Sequence, residues 1–292
     1  MTNEQSIDRI ARLSSALESL RPSQLNWIES VVAQFGRPAA FWRWEGSDVV
    51  TPCVLDDFGD ALRIHHCFSA EPFSKDKFEY ALERVLNLCG IPARRVDSRT
   101  NPGHDITIAE QRFSLKTQAD QGLKRDRIHI SKFMELGKGT WTNRDEEYAA
   151  LRDRFFDHLS RYDRIMTLRR LAGSSSAATW EYELVEIPKD LLLQARDGRL
   201  EVKRGTKQQG AAPAYYRVED PKDDYVVEKF SLYFDGGGER KLQIKGLDKN
   251  LCRVHATWRF EVEPTEAPPE TTKRAPKSAP KAAAAPARRN RA

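Results

Sequence analysis

The stretch NPGHDITIAEQRFSLKTQ, residues 101 to 118, carries two short alternating runs on either side of a polar pair, which leaves this part of the chain little alternative to a β-hairpin. In RFSLKTQ the apolar Phe113 and Leu115 share a face with Thr117, whereas Ser114, Lys116 and Gln118 line the other, because successive strand side chains point to opposite sides. Upstream, Ile106 and Ile108 alternate with Asp105, Thr107 and Ala109. A tight turn at Glu110 and Gln111 joins the two runs. With a two-residue or a four-residue turn Asp105 pairs with Lys116, and their Cβ atoms stand roughly 5 Å apart on one face. A three-residue turn slips the register and separates them.

A carboxylate facing an ammonium has two readings. One is a cross-strand ion pair, worth only about 0 to 1 kcal/mol when exposed. The other is phosphodiester hydrolysis, in which a carboxylate holds hard Mg²⁺, the metal stabilises charge developing on the phosphate, and the ammonium orients or helps deprotonate the attacking water. The run from GHDI to FSLKTQ resembles the core of the PD-(D/E)xK nuclease superfamily, and type II restriction endonucleases in particular. The resemblance maps the family's aspartate onto Asp105 and its lysine onto Lys116. It implies an α/β (α+β) fold with a mixed β-sheet flanked by helices, and a pair of Mg²⁺ ions held by Asp105, a helix carboxylate and the Leu115 carbonyl. Gln118 is then expected at the phosphate. This sequence departs from the pattern at Ser114, where the family usually carries Asp or Glu. Serine is a poor metal ligand, so the second carboxylate has to come from elsewhere, and some members of the family take it from the preceding helix.

Residues 74 to 89, SKDKFEYALERVLNLC, form such a helix. Ser74 is an N-cap, Phe78, Ala81, Leu82, Val85 and Leu86 recur at helical spacing, and Gly90 stops the run. Glu79 and Glu83, four residues apart, stack beside the apolar stripe. Glu79 is the favoured second carboxylate and Glu83 the alternative; a solvated helix face is the bland reading of both.

The sequence has no apolar run near the ~20 residues of a membrane-spanning helix and no signal-peptide pattern, so a cytoplasmic protein without a membrane partner is expected. Cys53, Cys67, Cys89 and Cys252 lack metal-site spacing and read as reduced thiols, and adjacent His65 and His66 read as core or locally hydrogen-bonded side chains. The net charge of +5 lies wholly in the segment from Thr265 to Ala292, where seven Lys and Arg meet two Glu. That Pro- and Ala-rich tail buries too little to order itself and attracts phosphate backbones in a salt-dependent way.

Along the chain the pattern divides into an N-terminal helical region (1–68), a nuclease core (69–197), a β-rich recognition or accessory region (198–263) and a disordered basic tail (264–292). Ile7, Ile10, Leu13, Leu17 and Leu20 form one amphipathic stripe, and Leu25, Ile28, Val31, Val32 and Phe35 a second; two packed helices are expected. Asn143 opens a further helix with Glu146 in capping-box position and Tyr148, Leu151, Phe155, Leu159 and Tyr162 as its stripe. RIMTLRRLA and ATWEYELVEI read as a hairpin about GSSS. In KRGTKQQG, Lys203, Arg204, Lys207, Gln208 and Gln209 suit base edges, Arg and Lys for guanine and Gln for adenine, although a polar loop explains them as well.

The expected function is a Mg²⁺-dependent endonuclease of the type II restriction kind acting on double-stranded DNA. A twofold homodimer suits palindrome cleavage, and a cognate DNA methyltransferase has to protect host DNA. A DNA-binding protein on a degenerate scaffold and a repair or recombination nuclease are the alternatives.

Overall fold

A computed structural model describes residues 3–96, 103–120, 122–137, 144–171, 179–204, 212–221, 225–235 and 240–262. In chain order the elements are α1 (Asn3–Glu18), α2 (Pro22–Phe35), β1 (Ala39–Arg43), α3 (Pro52–Phe68), α4 (Lys75–Leu88), β2 (Ala93–Arg95), β3 (Ile106–Ile108), β4 (Gln111–Gln118), β5 (Arg127–Glu135) and α5 (Asp145–Leu159). There follow β6 (Arg164–Leu171), β7 (Thr179–Glu186), α6 (Lys189–Leu193), β8 (Arg199–Val202), β9 (Ala214–Pro221), β10 (Val226–Asp235), β11 (Lys241–Asp248) and β12 (Arg253–Glu261).

Alternating apolar positions build two sheets. The first is seven-stranded and mixed, in the order β1-β12-β7-β6-β4-β3-β2, with β4 parallel to β6 and the other pairs antiparallel. The second is five-stranded and antiparallel, in the order β5-β11-β10-β9-β8. Each face of β4 belongs to a different core. Phe113 and Leu115 join Met166, Leu168, Tyr182 and Leu184 under α3 and α4, burying Phe58, Leu62, Phe78 and Leu82. On the other face of the first sheet, Ile165 and Val185 meet α5 and the second sheet through Phe133, Phe155, Tyr162, Phe230 and Ile244. The polar face of β4, with Ser114, Lys116 and Gln118, looks toward that second core and is itself buried. The chain is therefore α+β, a large mixed sheet flanked by helices with a β-rich C-terminal part.

α4 is the best-specified helix. Ser74 accepts from the Lys77 N–H at 3.4 Å, and Phe78, Leu82, Val85 and Leu86 are buried. At its end Gly90 takes φ +76°, so the Ile91 N–H reaches the Leu86 carbonyl at 2.9 Å and the Gly90 N–H that of Asn87 at 3.1 Å. This is the Schellman closure that only glycine enters without cost.

Several expectations change. The turn between β3 and β4 is Ala109–Glu110, one residue earlier than expected, with φ of 44° and 68°. Both residues are left-handed, as a two-residue hairpin turn requires. The cause lies on the far side of β3, where pairing with β2 carries on to an Ala109 N–H bonded to the Pro92 carbonyl at 2.9 Å. α1 does not pack on α2 as a helix pair: Ile7, Ile10 and Leu13 stay 63, 63 and 55 % exposed. α2 instead leans on α3, where Arg63 donates to the Gln34 carbonyl at 2.5 Å. Arg144 precedes the first turn of α5, and Glu147, rather than Glu146, reaches back to it, its Oε2 accepting from the Arg144 N–H at 3.4 Å; Asn143 lies outside the described residues. The stripe from Tyr148 to Tyr162 is buried as the spacing requires. β1, from the N-terminal region, and β12, from the β-rich region, both enter the first sheet.

Cys53 and Cys89 are not free thiols but a disulfide between the start of α3 and the end of α4, whereas Cys67 and Cys252 remain free. The spacing of four isolated cysteines carries no sign of a pairing that only the packing of α3 on α4 creates. His66 is 5 % exposed, stacked on Trp180 and hydrogen-bonded to Tyr182 Oη at 2.8 Å, so burial pushes it down to about 3. No helix among the described residues is long and apolar enough to cross a membrane. The basic tail lies outside the described residues.

Candidate active site

β3 and β4 bring the first two groups together. The pairs Ile106 with Phe113 and Thr107 with Arg112 place Asp105, just before β3, opposite Ser114 rather than opposite Lys116. The shift is by two residues, so the faces are unchanged, and Lys116 is the diagonal neighbour of Asp105. Asp105 Oδ2 accepts from the Leu115 N–H at 2.6 Å and from Ser114 Oγ at 3.2 Å. Its Oδ1 accepts from Lys75 Nζ at 2.8 Å. Burial works to raise this carboxyl, but Lys116, Lys75 and the Leu115 N–H outweigh it and hold the group below its ordinary value. It is a fixed anion.

Glu79 comes from the first turns of α4. Its Oε1 lies 3.1 Å from the same Lys75 Nζ, so the Glu79 and Asp105 oxygens are no more than about 6 Å apart, the sum of two contacts through one nitrogen. The side chains are 17 % and 20 % exposed, against 41 % for Lys75. Burial raises the Glu79 carboxyl, and Lys75 only partly reverses that. Glu83 belongs elsewhere: it accepts from the Arg95 N–H at 2.8 Å and Nε at 2.7 Å, and Arg95 stacks on Tyr80.

Lys116 is 9 % exposed, with its ammonium 5.4 Å from the centre of the Phe133 ring. Burial drives it down to about 8, the Lys75 charge pushes the same way, and Asp105 and Glu79 pull it back up. Thr167, its register partner on β6, and Tyr162 each keep a buried hydroxyl without a hydrogen-bond partner among the described residues. Tyr162 is close enough to Asp105 for that charge to help push its phenol up. A hydroxyl sealed from water normally finds a partner, so two orphans beside a buried ammonium and two carboxylates mark a place built for a small polar guest.

Gln118 is also buried, and its Oε1 accepts from Arg169 Nε at 2.9 Å. Arg169 is fully buried, paired with Glu183, and donates to the Lys124 and Arg127 carbonyls at 2.8 and 2.7 Å. Lys203 and Arg204 lie just past β8, paired with Glu201 and Asp145. Lys207, Gln208 and Gln209 fall outside the described residues.

Sequence reasoning passed over Lys75, Thr167 and Phe133, and took Tyr162 only as part of an apolar stripe. Lys75 did leave a signal, since it stands four residues before Glu79 at ion-pair spacing. Nothing local announces its second partner, 30 residues away.

The carboxylates, the buried lysine and the orphan hydroxyls make a polar centre at the junction of α4, the β3–β4 hairpin and β6, of the composition that metal-assisted hydrolysis uses. Residues 13–260 match a family described as SmaI, type II site-specific deoxyribonuclease. Over 217 residues the chain is 45 % identical to the type II restriction enzyme SmaI of Serratia marcescens, covering 74 % of this chain and 83 % of that protein. No solved structure matches it significantly. The chain belongs to the SmaI family of type II site-specific deoxyribonucleases and is a restriction endonuclease.

Proposed function

We propose that this endonuclease cuts double-stranded DNA at the centre built by Asp105, Glu79 and Lys116, on a core of the PD-(D/E)xK type, with Mg²⁺ as cofactor. The observation that carries the reading is the convergence of two carboxylates on one ammonium beside a second, buried lysine. The donor set fits the ion. Asp105 and Glu79 supply hard oxygens at a separation that one ion or a pair accommodates. Strand geometry adds a third donor: the Leu115 N–H points at Asp105, and the carbonyl of the same residue points to the same side. When bound, Mg²⁺ supplies charge stabilisation at the phosphate.

The other work falls to the chain's own groups. Ser114 Oγ and the Leu115 N–H fix the orientation of Asp105. Lys116, poised near 8 in a dry setting, hydrogen-bonds the attacking water and in its neutral form takes the water's proton. Tyr162 Oη and Thr167 Oγ1 hold the remaining hydrogen bonds of that water. Gln118 secures the end of β4 through Arg169, which keeps Lys116 in place. Lys203 and Arg204, with the segment through Gln209 and the tail from Thr265, are the proposed DNA contacts; Lys203 and Arg204 exchange Glu201 and Asp145 for phosphates.

Cleavage of both strands of a symmetric site favours a twofold homodimer, and a methyltransferase of the same specificity protects the host's DNA in the cytoplasm. The test is Mg²⁺-dependent linearisation of supercoiled plasmid by the wild type, Asp105→Asn, Glu79→Gln and Lys116→Met. All three variants are expected to lose cleavage while still binding DNA. Activity that survives both Asp105→Asn and Lys116→Met overturns the assignment.

A further inference from the structure

We propose that Lys75 is an exchangeable counter-ion for the metal centre: its ammonium holds the Asp105 and Glu79 carboxylates together in the metal-free enzyme and must leave them for a divalent cation to enter. The inference rests on the metal-site reading above and concerns a residue to which that reading gives no part. Lys75 Nζ lies 2.8 Å from Asp105 Oδ1 and 3.1 Å from Glu79 Oε1. Any ion coordinated by both oxygens occupies the space between them, and the ammonium is already there. The two occupants are mutually exclusive.

The three partners differ in how firmly they are held. Asp105 is tied to the Leu115 N–H and to Ser114 Oγ, both on a central strand. Lys75 sits at the first position of α4, and its side chain is 41 % exposed, about twice as open as either carboxylate. It can swing into water without disturbing the core. Mg–O bonds of about 2.1 Å bring two ligands of one ion to within about 4 Å of each other, and the two oxygens in contact with Lys75 Nζ lie no more than about 6 Å apart. The latch therefore pre-assembles the acids at the expense of affinity. A ligand that binds only one of two populated states loses apparent affinity in proportion to the blocked fraction.

The exchange makes and breaks no covalent bond. One divalent ion enters and one ammonium leaves for the rim of the site, still charged.

The experiment is calorimetric titration of the full-length, DNA-free protein with Ca²⁺, on the wild type, Lys75→Met, Lys75→Arg, Lys77→Met and Asp105→Asn, together with melting curves in chelator. Lys75→Met is expected to bind Ca²⁺ about tenfold more tightly and, without metal, to melt below the wild type because two carboxylates lose their shared cation. Lys75→Arg keeps a cation in place and stays close to the wild type. Lys77→Met removes an exposed charge from the same helix and controls for simple loss of positive charge, so its affinity is unchanged. Should Lys75→Met fail to fold, Lys75→Gln takes its place. If Lys75→Met binds no more tightly than Lys77→Met while Asp105→Asn abolishes binding, the latch is refuted and the metal site stands. If Asp105→Asn binds like the wild type, the metal-site reading itself fails and the latch with it.

Discussion

Lys116→Met should make this enzyme more stable as it makes it inactive. Burial pushes the Lys116 ammonium down to about 8 from its ordinary value of 10.5. The folded pKa is depressed, so below about 8 the fold holds a proton that it binds less firmly than the unfolded chain does. A depression of that size corresponds to a penalty on the order of 3 kcal/mol at neutral pH. Methionine fills similar space without charge, and Asp105 keeps Lys75 as its counter-ion. Urea unfolding at pH 7 should therefore show Lys116→Met more stable by about 2 to 3 kcal/mol, with cleavage reduced at least a hundredfold. Between about pH 8 and 10.5 the unfolded wild type binds more protons than the folded protein, so wild-type stability rises with pH relative to the variant. The gap closes near pH 10.5. A variant less stable than the wild type at pH 7, or a difference that does not change with pH, would falsify the view that desolvation dominates at this lysine.

Two further predictions concern the scaffold. Ala109 and Glu110 are exposed and hold φ of 44° and 68° without the residues such turns prefer, so Ala109→Asn with Glu110→Gly should stabilise the chain by about 1 kcal/mol and leave cleavage unchanged. Denaturation that shows a loss instead would mean that these side chains hold the turn by contacts. Arg169→Met leaves Glu183 buried with only Lys249 at 3.0 Å, and should cost about 3 kcal/mol in urea unfolding. Adding Glu183→Leu should recover most of that loss, and a double variant no better than the single one would contradict a charge-pair origin.

The hairpin shows why some of this site was legible and some was not. Strand side chains alternate with a period of two, so the common face of Asp105 and Lys116 survived an error of two residues in their pairing. The pairing itself was not legible, because Ala109–Glu110 lacks the Asn-Gly signal and the hydrogen bond that places the turn goes to Pro92, just before β2. α4 could be read because both of its stop signals are local, Ser74 at one end and Gly90 at the other. β1 with β12 and Cys53 with Cys89 depend on chain segments meeting at long or intermediate range, and no local pattern encodes them. α1 marks the opposite failure, a clear amphipathic stripe whose Ile7, Ile10 and Leu13 stay exposed.

The departure at Ser114 changes what kind of site this is. Ser114 stands opposite Asp105, so an acid there would set two carboxylates face to face across the hairpin, where like charges repel. Serine instead donates to Asp105 and helps to fix it. On the proposed reading the second acid is Glu79, on a helix, one turn from a lysine that touches both carboxylates. The metal-free centre then sets Asp105 and Glu79 against Lys75 and Lys116, two acidic groups against two basic ones. An acid on β4 would have tied both ligands to one rigid hairpin. In the proposed site, with the acid on α4, one ligand comes from that helix and the other from the start of β3.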